Sequence, residues 1–405
     1  MKAVVFYGIG DIRYEENAPE PIIQKPTDAI VRLTASSICG TDLHMVRGTM
    51  GEMEPGTIMG HEGVGIVEEI GTEVRNLNIG DRVIIPSTIA CGYCAYCRAG
   101  YYAQCDNANP NGKRAGTAFY GGPKLSGPFH GLQAEKARIP FANVGLVKVP
   151  EGLTDEEAIL ISDAFPTGYF GAKLAEIKSG DTVAVFGCGA VGQMAIASAK
   201  FLGAGRILAV DHVPARLQMA RDQGAEVIDF NAEDPVEAIL NLTGGIGVDR
   251  IIDAVGIDAQ RPVRGPAAEA ARKKAEQFRW ELEQVAPKAN PQGGLWRPGD
   301  APSQALEWEV NALDKAGTLA VIGVYPSTVN FFPFGTAAMK NITVNMGNCN
   351  HRKYIPMLVD LVESSRVDLP ELPTQVEPFG RVIDAYRAFD QRESDWIKVE
   401  LIFGK

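Results

Sequence analysis

The chain has 405 residues, 45% of them hydrophobic and 22% charged, and a formal net charge of -11. That length exceeds one ordinary core, so two domains are expected. The acidic balance argues against a nucleic-acid partner, because a phosphate-binding surface needs a Lys/Arg excess. No run approaches eighteen apolar residues, so no membrane partner is expected either.

The opening residues, MKAVVFYGIGDIRYEE, reach acidic side chains at once without an apolar signal core, which makes the cytoplasm the default location and reduced cysteines its consequence. From Met1 to about Pro150, short alternating runs between glycines read as an antiparallel β domain with long loops. AIVRLTASSI (Ala29 to Ile38), GVGIVEEIG (Gly63 to Gly71) and DRVIIP (Asp81 to Pro86) are its clearest strands. Two loops of this region carry soft or borderline metal ligands, Cys39 in CGTDLH and His61 in GHE.

A denser cluster follows, Cys91-x2-Cys94-x2-Cys97-x7-Cys105. This spacing lets four sulfurs converge on one ion in the closed tetrahedron of a structural zinc. Such a site leaves no position for substrate, so the chemistry is expected elsewhere.

Near Glu151 the pattern becomes helical in LTDEEAILISDAFPTGYFGAKLA, with Thr154 as N-cap and Glu157 completing a capping box. Strand and helix then alternate: DTVAVFG, GAVGQMAIASAKFLGA, RILAVD, PARLQMARDQG, AEVIDF, and later VDRIIDAVG, GTLAVIGVY and KNITVNMG. These short β-branched runs predict a doubly wound parallel sheet. The first strand runs into Gly187-Cys188-Gly189-Ala190-Val191-Gly192 and a helix, the context in which a glycine-rich loop cradles a dinucleotide pyrophosphate. Gly187 permits the turn, Gly189 lets backbone approach the phosphates, and Gly192 lets helix and strand pack closely. Asp211, ending RILAVD, suits the ribose hydroxyls and favours NAD over NADP, with Arg216 a candidate neighbour of the same ribose. An insertion at about 257–303 interrupts the rhythm; its residues 261–288 carry seven Lys/Arg and four Glu within an acidic protein. It reads as a surface addition, a cover over a bound ligand or a subunit contact.

Both cysteine-bearing motifs, the dinucleotide loop and Asp211, in this order and with GHEGVGIVEEIGTEVRNLNIGDRV between them, make the chain resemble the zinc-dependent medium-chain alcohol dehydrogenases. The match covers nearly the whole chain apart from the insertion. CGTDLHMVRGTM and SDAFPTGY are similar to the branch that includes the glutathione-independent formaldehyde dehydrogenases. The resemblance implies a GroES-like antiparallel β catalytic domain, 1–157 and 347–405, and a Rossmann nucleotide domain, 158–346. It implies two zinc ions per chain, NAD, and an alcohol or aldehyde substrate.

Residue by residue, Cys39, His61 and Asp163 match the family's catalytic zinc ligands, with Asp163 where cysteine is frequent. Glu62 is a candidate transient ligand or a partner for a basic side chain. Thr41 matches the hydroxyl that receives the substrate proton, and His44 the surface histidine that ends the relay. Ser87 falls where an aromatic often narrows the pocket, and Tyr120, Phe129 and His130 are candidate pocket or lid residues or, equally, loop packing. Gly317 to Tyr325 is expected as the edge strand of a homodimer or homotetramer. The expected reaction moves hydride between an alcohol and NAD, giving aldehyde or ketone. Formaldehyde dehydrogenase or aldehyde dismutase activity with retained NAD is the alternative, and a non-catalytic zinc-binding homologue a further one.

Overall fold

The computed structural model describes residues 1–290 and 293–404; Pro291 and Gln292, inside the expected insertion, and the terminal Lys405 lie outside the described residues. The chain divides into two compact units. The first comprises Met1–Pro166, Asn348–Asp368 and the stretch from Leu372 onward, and the second Thr167–Gly347 with Leu369–Glu371. The division therefore falls at Pro166 rather than 157. The helix Asp155–Ser162 buries Ala158 to Ser162 and packs on strands of the first unit, so it belongs there and not to the nucleotide unit.

The strands of the first unit are β1 (Ala3–Gly8), β2 (Asp11–Glu15), β3 (Ala29–Ile38), β4 (Thr57–Ile58), β5 (Gly63–Ile70), β6 (Arg82–Ile85), β7 (Lys136–Ile139) and β8 (Val147–Lys148). All three runs singled out above are strands, β3, β5 and β6. The larger sheet has the order β15-β16-β3-β5-β6-β8, with β7 also paired to β3; the smaller is β2-β1-β4. Here β15 (Gln375–Pro378) and β16 (Val399–Ile402) come from the C-terminal end of the chain. β16 runs antiparallel to β3, Val399 opposite Ile38. β16 and β15 thus extend the larger sheet beyond β3.

The second unit holds β9 (Thr182–Phe186), β10 (Arg206–Asp211), β11 (Glu226–Asp229), β12 (Val248–Asp253), β13 (Leu313–Val321) and β14 (Thr343–Met346). Their order, β11-β10-β9-β12-β13-β14, with parallel pairing throughout, is that of a doubly wound dinucleotide fold. One expectation fails here. Gly317 to Tyr325 is not an edge: β13 is flanked by β12 and β14. KNITVNMG supplies one more parallel strand, so the sheet ends at β14, whose Met346 is 66% exposed.

The insertion lies between β12 and β13 and contributes two helices, Pro266–Lys273 and Ala275–Val285. Leu282, Val285 and Ala286 form a small cluster with Ile257, against which Tyr325, Val329 and Phe331 pack. Its apolar residues therefore have a core to join, which explains why so long a connection is ordered into helices. Among the described residues, no helix is long and apolar enough to cross a membrane.

Candidate metal centre

Cys39 follows β3 and caps the helix Gly40–Arg47. Its backbone N–H donates to Asp42 Oδ2 at 2.9 Å, so the residue that stabilises the helix start also fixes the ligand loop. His61 follows Gly60, which has φ +89°; a Cβ there would lie 2.5 Å from Gln133 Cγ, so only glycine lets the chain turn His61 inward. Asp163 occupies a break between two helices. Thr154 caps the first through Glu157 N–H at 3.1 Å, as expected, but the helix ends at Ser162, and Asp163 leaves it at φ -148° and ψ -61° before Ala164–Leu174 begins. A residue outside helical geometry can turn its carboxylate into the interior.

Ligand atoms of Cys39, His61, Glu62 and Asp163 all lie within 4.8 Å of one another. His61 Nε2 and Asp163 Oδ2 are 3.8 Å apart, and ions with bonds of about 2.0–2.3 Å suit such a spacing. The electrostatics also fit a cation. Burial pushes the His61 imidazole down, yet Asp42 and Cys39 beside it raise its pKa well above the ordinary value. Burial pushes the Cys39 thiol up, and the charges of Glu62 and Asp163 add to that against His61. A divalent cation among them would favour the thiolate. For Asp163, burial opposes ionisation, but the His351 hydrogen bond and the charges of His61, His351 and Lys398 hold the carboxyl well below its usual range.

Glu62 is not idle beside these ligands. Both its oxygens lie 2.6 Å from Lys398 Nζ, and Ser37 Oγ donates to Oε2 at 2.7 Å. Entering a metal's coordination shell would mean breaking that pair. Lys398 was invisible in the sequence, being 336 positions away. Asp42 was equally unmarked, although CGTDLH held a clue: an acid three residues after the ligand is a helix-cap spacing. Asp42 Oδ1 stands 3.2 Å from His61 Nδ1 without the alignment of a hydrogen bond. Gln133 backs it, its amide donating to Asp42 Oδ2 at 3.4 Å and to Ser37 O at 2.9 Å, while Tyr386 O–H donates to Gln133 at 2.8 Å.

Thr41 is half-buried on the first turn of its helix. His44 departs from expectation: it is 5% exposed rather than at the surface, with Nδ1 2.8 Å from Thr49 Oγ1. Its helix is covered on that side, because Arg47 donates to Asp390 at 2.9 Å and both side chains are buried. Ser87 is buried, its hydroxyl donating to Ser162 O at 3.3 Å, directly beside the Asp163 ligand. Tyr120 is a core residue, not a lid, and Phe129 and His130 line a separate hollow of about 860 Å³ to which Cys39, His61 and Asp163 do not contribute. Long side chains in a glycine-rich loop gave no sign of which way they turn.

The four cysteines converge as the spacing implied: one sulfur from each lies within 4.8 Å of the others, and all four are buried. Cys94 and Cys105 sulfurs are 4.0 Å apart, close to the roughly 3.8 Å edge of a zinc–thiolate tetrahedron with 2.3 Å bonds. Backbone N–H groups of Cys91, Cys94 and Cys97 point at the sulfurs of Cys105, Cys91 and Cys94. Despite burial, such contacts bring Cys94 down to about 7.

In the second unit, Gly187 has φ +83°, and a Cβ on Gly192 would lie 1.8 Å from Gly187 O. A Cβ on Gly189 meets nothing within 4 Å, so open space stands where the loop would approach a phosphate. Val191 continues the first turn of the helix Ala190–Phe201. Asp211 Oδ2 accepts from Cys188 N–H at 2.8 Å, and Oδ1 from His212 and Val213 N–H at 2.6 and 3.0 Å. Burial opposes its charge, but these bonds and Arg216 at 3.7 Å keep it strongly acidic.

Residues 25–151 match the alcohol dehydrogenase GroES-like domain, and residues 190–263 the zinc-binding dehydrogenase domain. An uncharacterised zinc-type alcohol dehydrogenase-like protein of Bacillus subtilis is 36% identical over 405 residues, covering 99% of this chain and 100% of that protein. A glutathione-independent formaldehyde dehydrogenase of Pseudomonas aeruginosa is 39% identical over 270 residues, 64% of this chain and 66% of its own. The structure of the alcohol dehydrogenase TADH from Thermus sp. ATN1 superposes with a TM-score of 0.79 at 32% identity, each chain fully covered.

Proposed function

The chain belongs to the zinc-type medium-chain alcohol dehydrogenase family, and from that premise we propose that it is an NAD-dependent zinc enzyme interconverting an alcohol with its aldehyde or ketone. The convergence of Cys39, His61 and Asp163 within 4.8 Å carries this reading, since three protein ligands leave a fourth position for substrate. When bound, zinc supplies Lewis acidity to a substrate hydroxyl and NAD supplies the hydride acceptor. The Thr41 hydroxyl accepts the hydrogen bond of that substrate hydroxyl. His44 is the base toward which the proton passes, its ring oriented through Nδ1 by Thr49 at 2.8 Å. The ionised Asp211 favours the two free ribose hydroxyls of NAD and repels a 2′-phosphate.

A second reading, a glutathione-independent formaldehyde dehydrogenase or aldehyde dismutase with retained NAD, draws on one observation. The insertion is tied to the residues just after β11: Val263 N–H donates to Asn231 Oδ1 at 2.8 Å. In a doubly wound fold that is the side on which the adenosine lies. The deciding experiment counts metal and nucleotide in undialysed protein and then follows NAD reduction across a panel of primary and secondary alcohols. Two zinc ions per chain with NAD-dependent alcohol oxidation are expected. Absence of metal-dependent turnover with every alcohol and aldehyde would overturn the proposal, and aldehyde dismutation without added NAD would move it to the second reading.

A further inference from the structure

The two cysteine-bearing sites of the first unit are joined by a short polar bridge. His351 Nε2 lies 2.8 Å from Asp163 Oδ1. A carboxylate only accepts, so Nε2 carries the hydrogen. The other ring nitrogen, Nδ1, lies 3.1 Å from Thr88 Oγ1. Thr88 pairs with Phe119 in an isolated bridge and stands three residues before Cys91, while its neighbour Ser87 touches Ser162. On the other side, Ala103, between Cys97 and Cys105, donates its N–H to Asn350 Oδ1 at 2.9 Å. Asn348 adds a bond to Thr117 Oγ1 at 2.6 Å. The stretch Asn348–His351 is thus held to the four-cysteine loop through Ala103 and to the chain on either side of that loop through Thr88 and Thr117, and it presents one ring to Asp163.

That ring has a clear task. Asp163 leaves the helix before it and gains no restraint from helical geometry. Its Oδ2 lies 3.8 Å from His61 Nε2, while Oδ1 accepts from His351, itself 4% exposed. We propose that His351 is a positioning residue for Asp163 and that the four-cysteine loop holds His351 in its pose, so that metal in the loop strengthens metal binding at Cys39, His61 and Asp163. This rests on the metal-centre reading above.

The test is a Co²⁺ titration of the full chain after the more labile zinc has been removed, read by the visible absorption of the Cys39 centre, with circular dichroism confirming each fold. His351→Ala is expected to weaken binding there about 10–100-fold, the usual effect of losing such an outer partner, with the four-cysteine site still filled. His351→Gln, which keeps an N–H in the same region, recovers part of the loss. Thr88→Val and Asn350→Ala, which cut the bridge without touching a cysteine, each cost several-fold. Wild-type affinity in folded His351→Ala overturns the positioning role. Loss in His351→Ala but none in Thr88→Val and Asn350→Ala overturns the coupling to the loop. Failure of the unsubstituted protein to bind metal at Cys39, His61 and Asp163 overturns the functional reading itself.

Discussion

Glu62 and Lys398 show what single residues contribute around the metal ligands. The two are 0% and 2% exposed, and their ion pair leaves the negative charges of Cys39 and Asp163 to face a cation. Buried pairs add little net stability when intact, but removing one partner strands a charge. Lys398→Met is therefore expected to cost about 3–5 kcal/mol in denaturant unfolding. Adding Glu62→Gln to it should restore most of that, since the amide still meets Ser37. A single variant as stable as the parent would show that Glu62 does not depend on Lys398. At this scale the sequence was legible where residue type and spacing are chemically narrow. Cys39, His61 and the four cysteines meet as expected, whereas Lys398 and His351 declared nothing, because a lysine just before a strand and a histidine at a helix start have many ordinary uses.

Elements were legible where local chemistry writes them. Thr154 and Glu157 mark a helix start, and the β-branched runs mark the parallel strands. The helix break at Asp163 is marked only faintly: FPTGYFGAKL continues the helical pattern, but Pro166, in the first turn of the second helix, has no N–H to donate to Ser162 O. The edge position of Gly317 to Tyr325 was implied by the family resemblance, and KNITVNMG, already legible as a strand, takes that edge instead as β14. The loop itself offers a contrast between two glycines. Gly192→Ala drives a Cβ into Gly187 O and should lower the melting temperature and abolish NAD binding together. Gly189→Ala meets no protein atom, so its melting temperature should stay near the parent's while NAD affinity falls, because the added methyl takes the phosphate's space. Calorimetry with and without NAD separates the two; equal NAD affinity in Gly189→Ala would mean that no phosphate approaches that backbone.

For the whole molecule, the formal net charge is -11, and some of its acids are buried beside one another. Glu400 on β16 is 1% exposed, with one carboxylate oxygen unpartnered. Burial, then Glu156 and Asp155 on the facing helix, push it up to about 7. The folded chain therefore binds this proton more tightly than the unfolded chain does. Its contribution to stability falls as pH rises from about 4.5 to 7 and stays low above that. Glu400→Gln should unfold like the parent near pH 4.5 but be more stable at pH 8, by on the order of 2 kcal/mol. A difference independent of pH would sink this account. Length and patterning foresaw two domains and the class of each, but a formal charge cannot show which acids are forced together.

The closure of the first unit by its last strands sets an order in time. A ribosome releases Glu62 and Asp163 long before their partners. Asp163 waits for His351 across 188 positions, roughly 10 to 40 s of synthesis at 5–20 residues per second. Glu62 waits longer still for Lys398. Through that interval Glu62 and Asp163 lack these two partners, so the cluster of Cys39, His61 and Asp163 gains its full set of neighbours only as translation ends, whereas all four cysteines of the loop have long since emerged.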